Sequence, residues 1–345
     1  MSKIKNIKVG VVGLGFIGPA HIEGIRRQGG VEVHGIVEFT PELAREKAEQ
    51  LSIPVAYSSY EEILKDPDID VIHICSPNYL HFSQSKQALL AGKHVVCEKP
   101  LTITSDEARE LMELAKEKKL VNAINFNLRF YPVNFEAKYR VHNDDLGKVF
   151  IVQGTYLQDW LLYPTDWNWR IDSVEGGTLR AVADIGSHWI DLVMFITGLT
   201  VTEVFADLAT FYPIRKKMVS KIETFSSEKQ SAAAQYEDKP VTTEDYASIL
   251  LRFENGAKGI LSVSQMSAGR KNRLSYEIDG AKSSVSWDSE HPNDLWMGYR
   301  GRPNENLIKD PALMSVGSQS VSSYPAGHAE GFPDTFKQLQ KKVYA

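Results

Sequence analysis

The sequence predicts an α/β protein in two parts, a parallel sheet wrapped by helices followed by a region dominated by antiparallel strands. Three observations carry this. The 345 residues are more than twice the roughly 150 that serve as a prior for one domain. Up to residue 128, short β-branched runs alternate with longer helical segments, the rhythm of strands joined by helical crossovers. Beyond about Phe130, apolar and polar residues alternate as antiparallel strands require. The chain thus divides into residues 1–128 and 129–345.

In the first part, residues 7–12, 31–37, 71–75, 94–97 and 121–125 are rich in Val, Ile or Cys and too short for helices, so they read as strands. Residues 19–28, 41–50, 60–64, 80–90 and 106–118 read as helices. Thr104 with Glu107 offers a capping box, and Gly92 a C-cap. In the second part the strands fall at 156–160, 202–211, 247–253, 259–266, 274–279 and 283–287. Asn255-Gly256 and Asp279-Gly280 stand where two-residue hairpin turns want tolerance of positive φ. Residues 213–240, with Ser226-Ser227 and the run Ala232 to Ala234, predict a long exposed loop.

Hydrophobic residues make up 43% and charged residues 24%, with a formal net charge of −5, the profile of an ordinary globular protein. A disordered chain, a fibrous repeat and a disulfide scaffold are excluded. The mild negative balance argues against nucleic acid or a membrane surface as the main partner, leaving small molecules. Cys75 and Cys97 are too few for a disulfide framework and suit a reducing, cytoplasmic setting. Lys3, Lys5 and Lys8 before an apolar run imitate a secretory signal, but the run carries Gly13, Gly15 and Gly18 and no cleavage site follows. No stretch of about 18 apolar residues predicts a membrane span.

Gly13-Leu14-Gly15-Phe16-Ile17-Gly18 follows the first strand and opens a helix with Pro19 in its first turn. Gly13 permits the tight turn, Gly15 lets the backbone approach a pyrophosphate, and Gly18 lets helix and strand pack closely. The helix N-terminus offers free N–H groups to the phosphates, with Phe16 and Ile17 inside the same cradle. Glycine turns also occur for conformational reasons alone, so context decides. The next strand ends at Glu38, twenty residues past Gly18, where an acid accepts hydrogen bonds from the ribose hydroxyls of an adenosine. A 2′-phosphate would be repelled there, and Phe39-Thr40-Pro41 supplies no Arg to receive one. This is the pattern of a Rossmann domain that prefers NAD to NADP.

Glu98-Lys99-Pro100 follows the strand at 94–97, which puts Lys99 at the carboxyl end of a parallel strand, where open α/β sheets bind ligands. A solvated loop lysine meets the same positional condition. In Ala183-Asp184-Ile185-Gly186-Ser187-His188-Trp189-Ile190-Asp191, a small-residue turn opens an apolar helix ending near Gly198, with Asp184 and His188 four apart. A carboxylate, an imidazole and a lysine form a complete set for moving a proton at an alcohol while hydride moves to or from a nicotinamide. Helix capping by Asp184 or Ser187 and a core role for His188 are the plain alternatives. A metal site at Asp184, His188 and Asp191 is not expected, since no second His or Cys cluster accompanies them.

The glycine turn, Cys75-Ser76-Pro77-Asn78 with His81, Glu98-Lys99-Pro100 and the motif from Asp184 to Asp191 together resemble the glucose-fructose oxidoreductase/inositol dehydrogenase/MocA family over nearly the whole chain. The resemblance implies a Rossmann domain followed by an α/β domain with a large open, mostly antiparallel sheet that often makes the oligomer interface, here a homodimer or homotetramer. It implies an NAD(P)-dependent oxidoreductase of sugars, cyclitols and related alcohols. Lys99, Asp184 and His188 would be the catalytic trio: His188 the base, Lys99 polarising the reacting oxygen, Asp184 orienting substrate and tuning the histidine. Which of Lys99 and His188 takes the proton stays open. Glu98 would help seat the nicotinamide riboside, and Ser76, Asn78 and His81 would line the cofactor's ribose and nicotinamide side.

Four of the six tryptophans, Trp160, Trp167, Trp169 and Trp189, fall within thirty residues that also hold Tyr163, Asp166, Arg170 and Asp172. Indole faces stack on the C–H faces of sugar rings, so the cluster reads as a pocket wall for a polyol, core packing being the plain alternative. Trp167 and Arg170 resemble a family segment that approaches the cofactor, with Tyr163 and Arg170 toward substrate. Asn125, Asn127, Arg129 and Tyr131 close the first domain beside the same cleft. His328, in Gly327-His328-Ala329-Glu330-Gly331, resembles a family histidine that returns to the cleft. Relatives usually continue for some tens of residues beyond the position of Ala345, so an uncovered edge of the second domain is an expectation. The competing functional reading is an NAD-binding redox sensor without turnover, and an enzyme that retains its cofactor between two substrates is a third.

Overall fold

In the computed structural model, which describes residues 6–219 and 235–345, six parallel strands form the first sheet. They are β1 (Ile7–Val12), β2 (Val31–Val37), β3 (Val55–Ala56), β4 (Val71–Ile74), β5 (His94–Cys97) and β6 (Asn122–Ile124), in the order β3-β2-β1-β4-β5-β6. Val9, Val11, Ile36, Ile72, Ile74 and Val96 are wholly buried, as expected of strands covered on both faces. The crossovers run through α1 (Gly18–Arg26), α2 (Pro41–Gln50), α3 (Tyr60–Lys65), α4 (Asn78–Leu90) and α5 (Ser105–Lys118). Thr40 caps α2, and the Thr104–Glu107 capping box opens α5. Strand order reverses between β1 and β4, so the carboxyl ends of these strands flank a crevice.

The chain then passes through α6 (Pro132–His142), β7 (Val149–Leu157), α7 (Ser173–Gly176), a π-helical turn at Val182–Gly186 and α8 (Ser187–Thr197). The remaining elements are β8 (Val201–Ala209), β9 (Ile214–Met218), β10 (Tyr236–Pro240), β11 (Tyr246–Phe253), β12 (Lys258–Ser264), β13 (Arg273–Gly280), β14 (Ser284–Asp288), β15 (Asp294–Gly298), β16 (Glu305–Ile308), α9 (Val316–Ser320) and α10 (Phe332–Val343). Eight strands pair as β16-β15-β14-β13-β7-β12-β11-β8, all antiparallel except β7 with β12. Trp189, Leu192, Val193 and Ile196 of α8 pack on one face with Tyr276 and Trp287, all buried. The other face lies open. Register lines up Phe205, Leu250, Ile260, Gln153, Glu277, Ser286 and Trp296 across it, and Phe205, Leu250, Ile260 and Trp296 are exposed.

Several boundaries differ from the sequence reading for identifiable reasons. The strand expected at 156–160 runs instead over Val149–Leu157; Gln153, Gly154 and Thr155 hide its apolar alternation, and Trp160 lies beyond it in a turn. The stretch 213–240 begins and ends in the paired strands β9 and β10 rather than in loop, while Ser226-Ser227 and Ala232 to Ala234 lie outside the described residues. The β11–β12 turn has three residues, closed by Phe253 N–H to Ala257 C=O at 3.0 Å, with Gly256 at φ +87°. The β13–β14 turn is Ala281-Lys282, since Gly280 N–H donates to Ser283 C=O at 3.0 Å. Gly280 is needed there for space: a Cβ would stand 2.1 Å from the Leu146 carbonyl oxygen.

Helix α10 returns to the first sheet. Arg27 pairs with Asp334 at 2.5 Å, Gln28 Nε2 donates to the Lys337 carbonyl at 2.7 Å, and Gln340 Nε2 to the His21 carbonyl at 3.2 Å. This contact carries Phe332 and Phe336 to the wall of the crevice. Among the described residues no helix is long and apolar enough to cross a membrane.

Candidate active site

The crevice at the strand reversal is a cleft of about 450 Å³ running from the glycine turn to the second sheet. At one end Gly13 takes φ +83°, and a Cβ there would meet Ser76 N at 2.9 Å. A Cβ on Gly15 would meet nothing within 4 Å, because that glycine faces the open cleft. Gly18 sits so close that a Cβ would stand 2.5 Å from the Gly13 carbonyl oxygen. The N-terminus of α1 has no side-chain cap, so its first N–H groups stay available to an anion. Phe16 and Ile17 line the same wall. Glu38 closes this end: its Oε1 accepts from Leu14 N–H and Lys47 Nζ, both at 2.7 Å, and its Oε2 from Phe39 N–H at 3.1 Å.

The loops after β4 and β5 form the middle. The His81 ring stands between the carbonyls of Ser76 and Pro100 at 2.8 and 2.7 Å, tying the two loops together. Ser76 Oγ donates to Gln84, Asn78 Nδ2 to the Gly176 carbonyl, and Asn127 Nδ2 to Thr335 Oγ1. Glu98 is buried, and Oε1 accepts from His21 Nε2 at 2.9 Å and Asn125 Nδ2 at 2.5 Å. Burial alone would raise its carboxyl, but the His21 contact and the neighbouring Lys99 outweigh that and bring it to about 2. Behind it, His21 Nδ1 meets His73 Nδ1 at 2.8 Å, and His73 Nε2 meets the Tyr344 hydroxyl at 2.6 Å. Burial holds His73 well below the usual imidazole range, hence neutral.

At the far end Lys99 Nζ donates to Asp184 Oδ1 and to the Asp184 carbonyl, both at 2.8 Å. Arg170 Nε adds a second cation at 3.2 Å, and Gln265 Nε2 donates to Asp184 Oδ2 at 3.0 Å. Burial would raise the Asp184 carboxyl, but Lys99 and Arg170 hold it well below the carboxylate range. The carboxylate is aimed by the π-helical turn, which Glu244 anchors by accepting from Arg180 N–H at 2.9 Å and Val182 N–H at 2.8 Å. Arg180 and Arg215 both pair with Asp245 behind it, all three wholly buried. One turn on, the His188 ring packs edge-on to Phe126 at 5.5 Å, its Nδ1 buried without a partner. Burial and the nearby Lys99 lower it to about 3, so the imidazole is unprotonated.

Tyr156, Gln158, Trp160, Trp169, Arg170 and Asn272 line this end with Lys99, Asp184 and His188. Tyr156 Oη and Gln158 Nε2 both donate to Asn272 Oδ1 at 2.8 Å, and Trp160 Nε1 donates to Gln158 Oε1 at 2.7 Å. Three expected residues stand elsewhere. Tyr163 is 64% exposed and off the cleft wall. Trp167 packs against Leu161, Ile171 and Val241, with Lys217 over its ring at 5.3 Å. His328 is exposed on a loop, with Nδ1 against the Ala326 carbonyl at 3.2 Å. Clustering along the chain does not reveal which side of a loop faces the cleft: Trp160 and Trp169 line it, and Trp167 does not. Asp191 pairs with Arg129 and is off the cleft wall that Asp184 lines.

Lys47, Gln158, Gln265, Asn272, Glu244, Asp245 and the His21–His73 pair join the site without having been expected there from the sequence. For His21 a signal was present: it shares the spacing of Gly18, Ile22 and Ile25 on the buried face of α1. For the others no local pattern exists.

Residues 7–126 match an oxidoreductase family with an NAD-binding Rossmann fold, and residues 135–286 match the GFO/IDH/MocA C-terminal domain. Levoglucosan dehydrogenase of Pseudarthrobacter phenanthrenivorans is 30% identical over 86% of this chain and 77% of its own length. Myo-inositol 2-dehydrogenase of Thermotoga maritima is 28% identical over 82% of this chain and 75% of its own. A solved structure of levoglucosan dehydrogenase in complex with NADH and levoglucosan superposes with a TM-score of 0.87 at 28% identity, covering 98% of this chain and 89% of that one.

Proposed function

The chain belongs to the glucose-fructose oxidoreductase/inositol dehydrogenase/MocA family, and from that premise we propose that it is an NAD-dependent dehydrogenase oxidising a secondary hydroxyl of a sugar, sugar derivative or cyclitol to the ketone, reversibly. One observation carries this reading. Lys99 is paired with Asp184 at 2.8 Å beside an unprotonated His188, at the opposite end of one cleft from the glycine turn and Glu38.

The turn from Gly13 to Gly18 would hold the pyrophosphate, Glu38 the adenosine ribose, and Ser76, Asn78, His81 and Glu98 the nicotinamide riboside side. When bound, NAD supplies a hydride acceptor at its nicotinamide. Lys99 donates a hydrogen bond to the substrate oxygen and stabilises the negative charge that grows there. His188 Nε2 takes the hydroxyl proton as the C–H hydride leaves, and returns it in the reverse direction. Its low proton affinity at rest rises as charge gathers on the neighbouring oxygen. Asp184 keeps Lys99 aimed, with Arg170 and Gln265 holding the carboxylate in place.

Trp160 and Trp169 offer indole faces to the C–H faces of a ring, and Gln158 and Asn272 offer amides to its hydroxyls. The named relatives act on levoglucosan and myo-inositol, which favours a ring polyol or anhydrosugar. The exposed row of Phe205, Leu250, Ile260 and Trp296 supports assembly into a homodimer or homotetramer through the open sheet face. The two free, buried cysteines fit work in a reducing cytoplasm.

The test is formation of reduced nicotinamide, followed by its near-ultraviolet absorbance, with inositols, aldoses, glycosides and anhydrosugars offered alongside NAD or NADP. Turnover of one ring polyol with NAD supports the proposal. Firm NADH binding with no turnover on any of them contradicts it and favours a sensor.

A further inference from the structure

Lys47 is a cation that the proposed chemistry does not use; it is off the cleft lining and held against Glu38, which lines the adenosine end. It lies in the second half of α2 and reaches back to the glycine turn. Its Nζ donates to the Leu14 carbonyl at 2.6 Å and to Glu38 Oε1 at 2.7 Å, while the same oxygen accepts from Leu14 N–H at 2.7 Å. Leu14, Glu38 and Lys47 thus close a ring of hydrogen bonds through the N–H and C=O of one residue of the turn. The Glu38 side chain is 8% exposed and that of Lys47 25%.

This changes the electrostatics of cofactor choice. An isolated Glu38 would repel a 2′-phosphate by its charge, but here the corner carries one negative and one positive group within hydrogen-bond distance and is close to neutral. A cation suited to a phosphate is already present, and Glu38 occupies it. Building on the reading of the cleft as a nicotinamide-dinucleotide site, we propose that Lys47 is a masked 2′-phosphate seat, so that preference for NAD rests on Glu38 filling that seat rather than on the lack of a cation. Removing the carboxylate leaves the ammonium anchored to the Leu14 carbonyl and free toward the ribose.

The test is equilibrium binding of NADH and NADPH, read by nicotinamide fluorescence, in the wild type, Glu38→Ser, Lys47→Met and the double variant. The wild type binds NADH in preference to NADPH. Glu38→Ser tightens NADPH by about tenfold or more, the scale of one charge-assisted hydrogen bond, and added salt erodes the gain. The double variant loses it, and Lys47→Met alone gains nothing for NADPH. Circular dichroism confirms that each variant is folded, and Lys47→Gln replaces Lys47→Met if that variant is not. Equal NADPH affinity in Glu38→Ser and the double variant overturns the proposal while leaving the dinucleotide site intact. Failure of the wild type to bind either dinucleotide overturns both.

Discussion

The two ends of the cleft each carry a lysine–carboxylate pair, Lys47 with Glu38 and Lys99 with Asp184, and the proposed function gives the two pairs different uses. At the adenosine end Lys47 clasps Glu38 at 2.7 Å and the Leu14 carbonyl at 2.6 Å; at the other, Lys99 clasps Asp184 and its carbonyl, both at 2.8 Å. The surroundings differ. Glu38 sits at a strand end, bonded to two backbone N–H groups and one cation. Asp184 rides on a π-helical turn, takes a second cation from Arg170, and has an unprotonated imidazole four residues on. On the proposed function, the Lys47 pair is an anchor, while the Lys99 pair is set apart by the imidazole and the pocket that share its surroundings.

Removing the acceptor breaks this comparison most severely. His188→Ala is expected to lower turnover by about a hundredfold to ten-thousandfold, the range for loss of a general base, with NADH affinity little changed in fluorescence titration. Wild-type turnover would mean that His188 is not the group that sets the Lys99 end apart. Arg170→Leu reduces the Asp184 pair to one lysine and one carboxylate, like its counterpart at Glu38. The expected outcome is a loss of about tenfold in kcat/KM, roughly one charged hydrogen bond; no change would show that the second cation is idle.

A smaller effect concerns acid stability. His188 and His73 are buried and neutral when folded, His188 with a value of about 3 and His73 well below its usual range. Unfolded, both titrate near 6.5. Below that point the unfolded chain binds protons that the folded chain refuses, so these groups contribute stability above about pH 6.5 and lose it as pH falls toward the folded values, by about 1.4 kcal/mol per pH unit for each. Thermal melting should therefore drop as pH falls below about 6.5, and His188→Ala should flatten part of that slope. Identical slopes in the variant and the wild type would mean that His188 is not held neutral.

The parts of the molecule legible in the sequence are those whose physics is local. The β1 turn, its uncapped helix and Glu38 lie within one strand–helix–strand unit. Lys99 directly follows a strand end, and Asp184 and His188 share one helical turn. Residues coupled by tertiary contact gave no such sign. Tyr344 reaches His73 across most of the chain, and Glu244 anchors the turn that bears Asp184 from a different sheet strand's approach. Lys47 reads as one charge among several on an exposed helix until the fold turns it back onto Leu14. Gly280 shows the converse limit, since its position beside Asp279 suggests a turn while its actual constraint is the Leu146 carbonyl.

In the proposed function Lys99, and not merely the cleft that contains it, carries the chemistry. The most direct measurement pairs NADH affinity with the turnover number of Lys99→Ala on a ring polyol that the wild type oxidises. The expected result is affinity within about threefold of wild type and turnover lower by at least about a hundredfold, the cost of losing a donor aimed at a developing oxyanion. Turnover at the wild-type rate, or a loss explained wholly by weaker NADH binding, would contradict it.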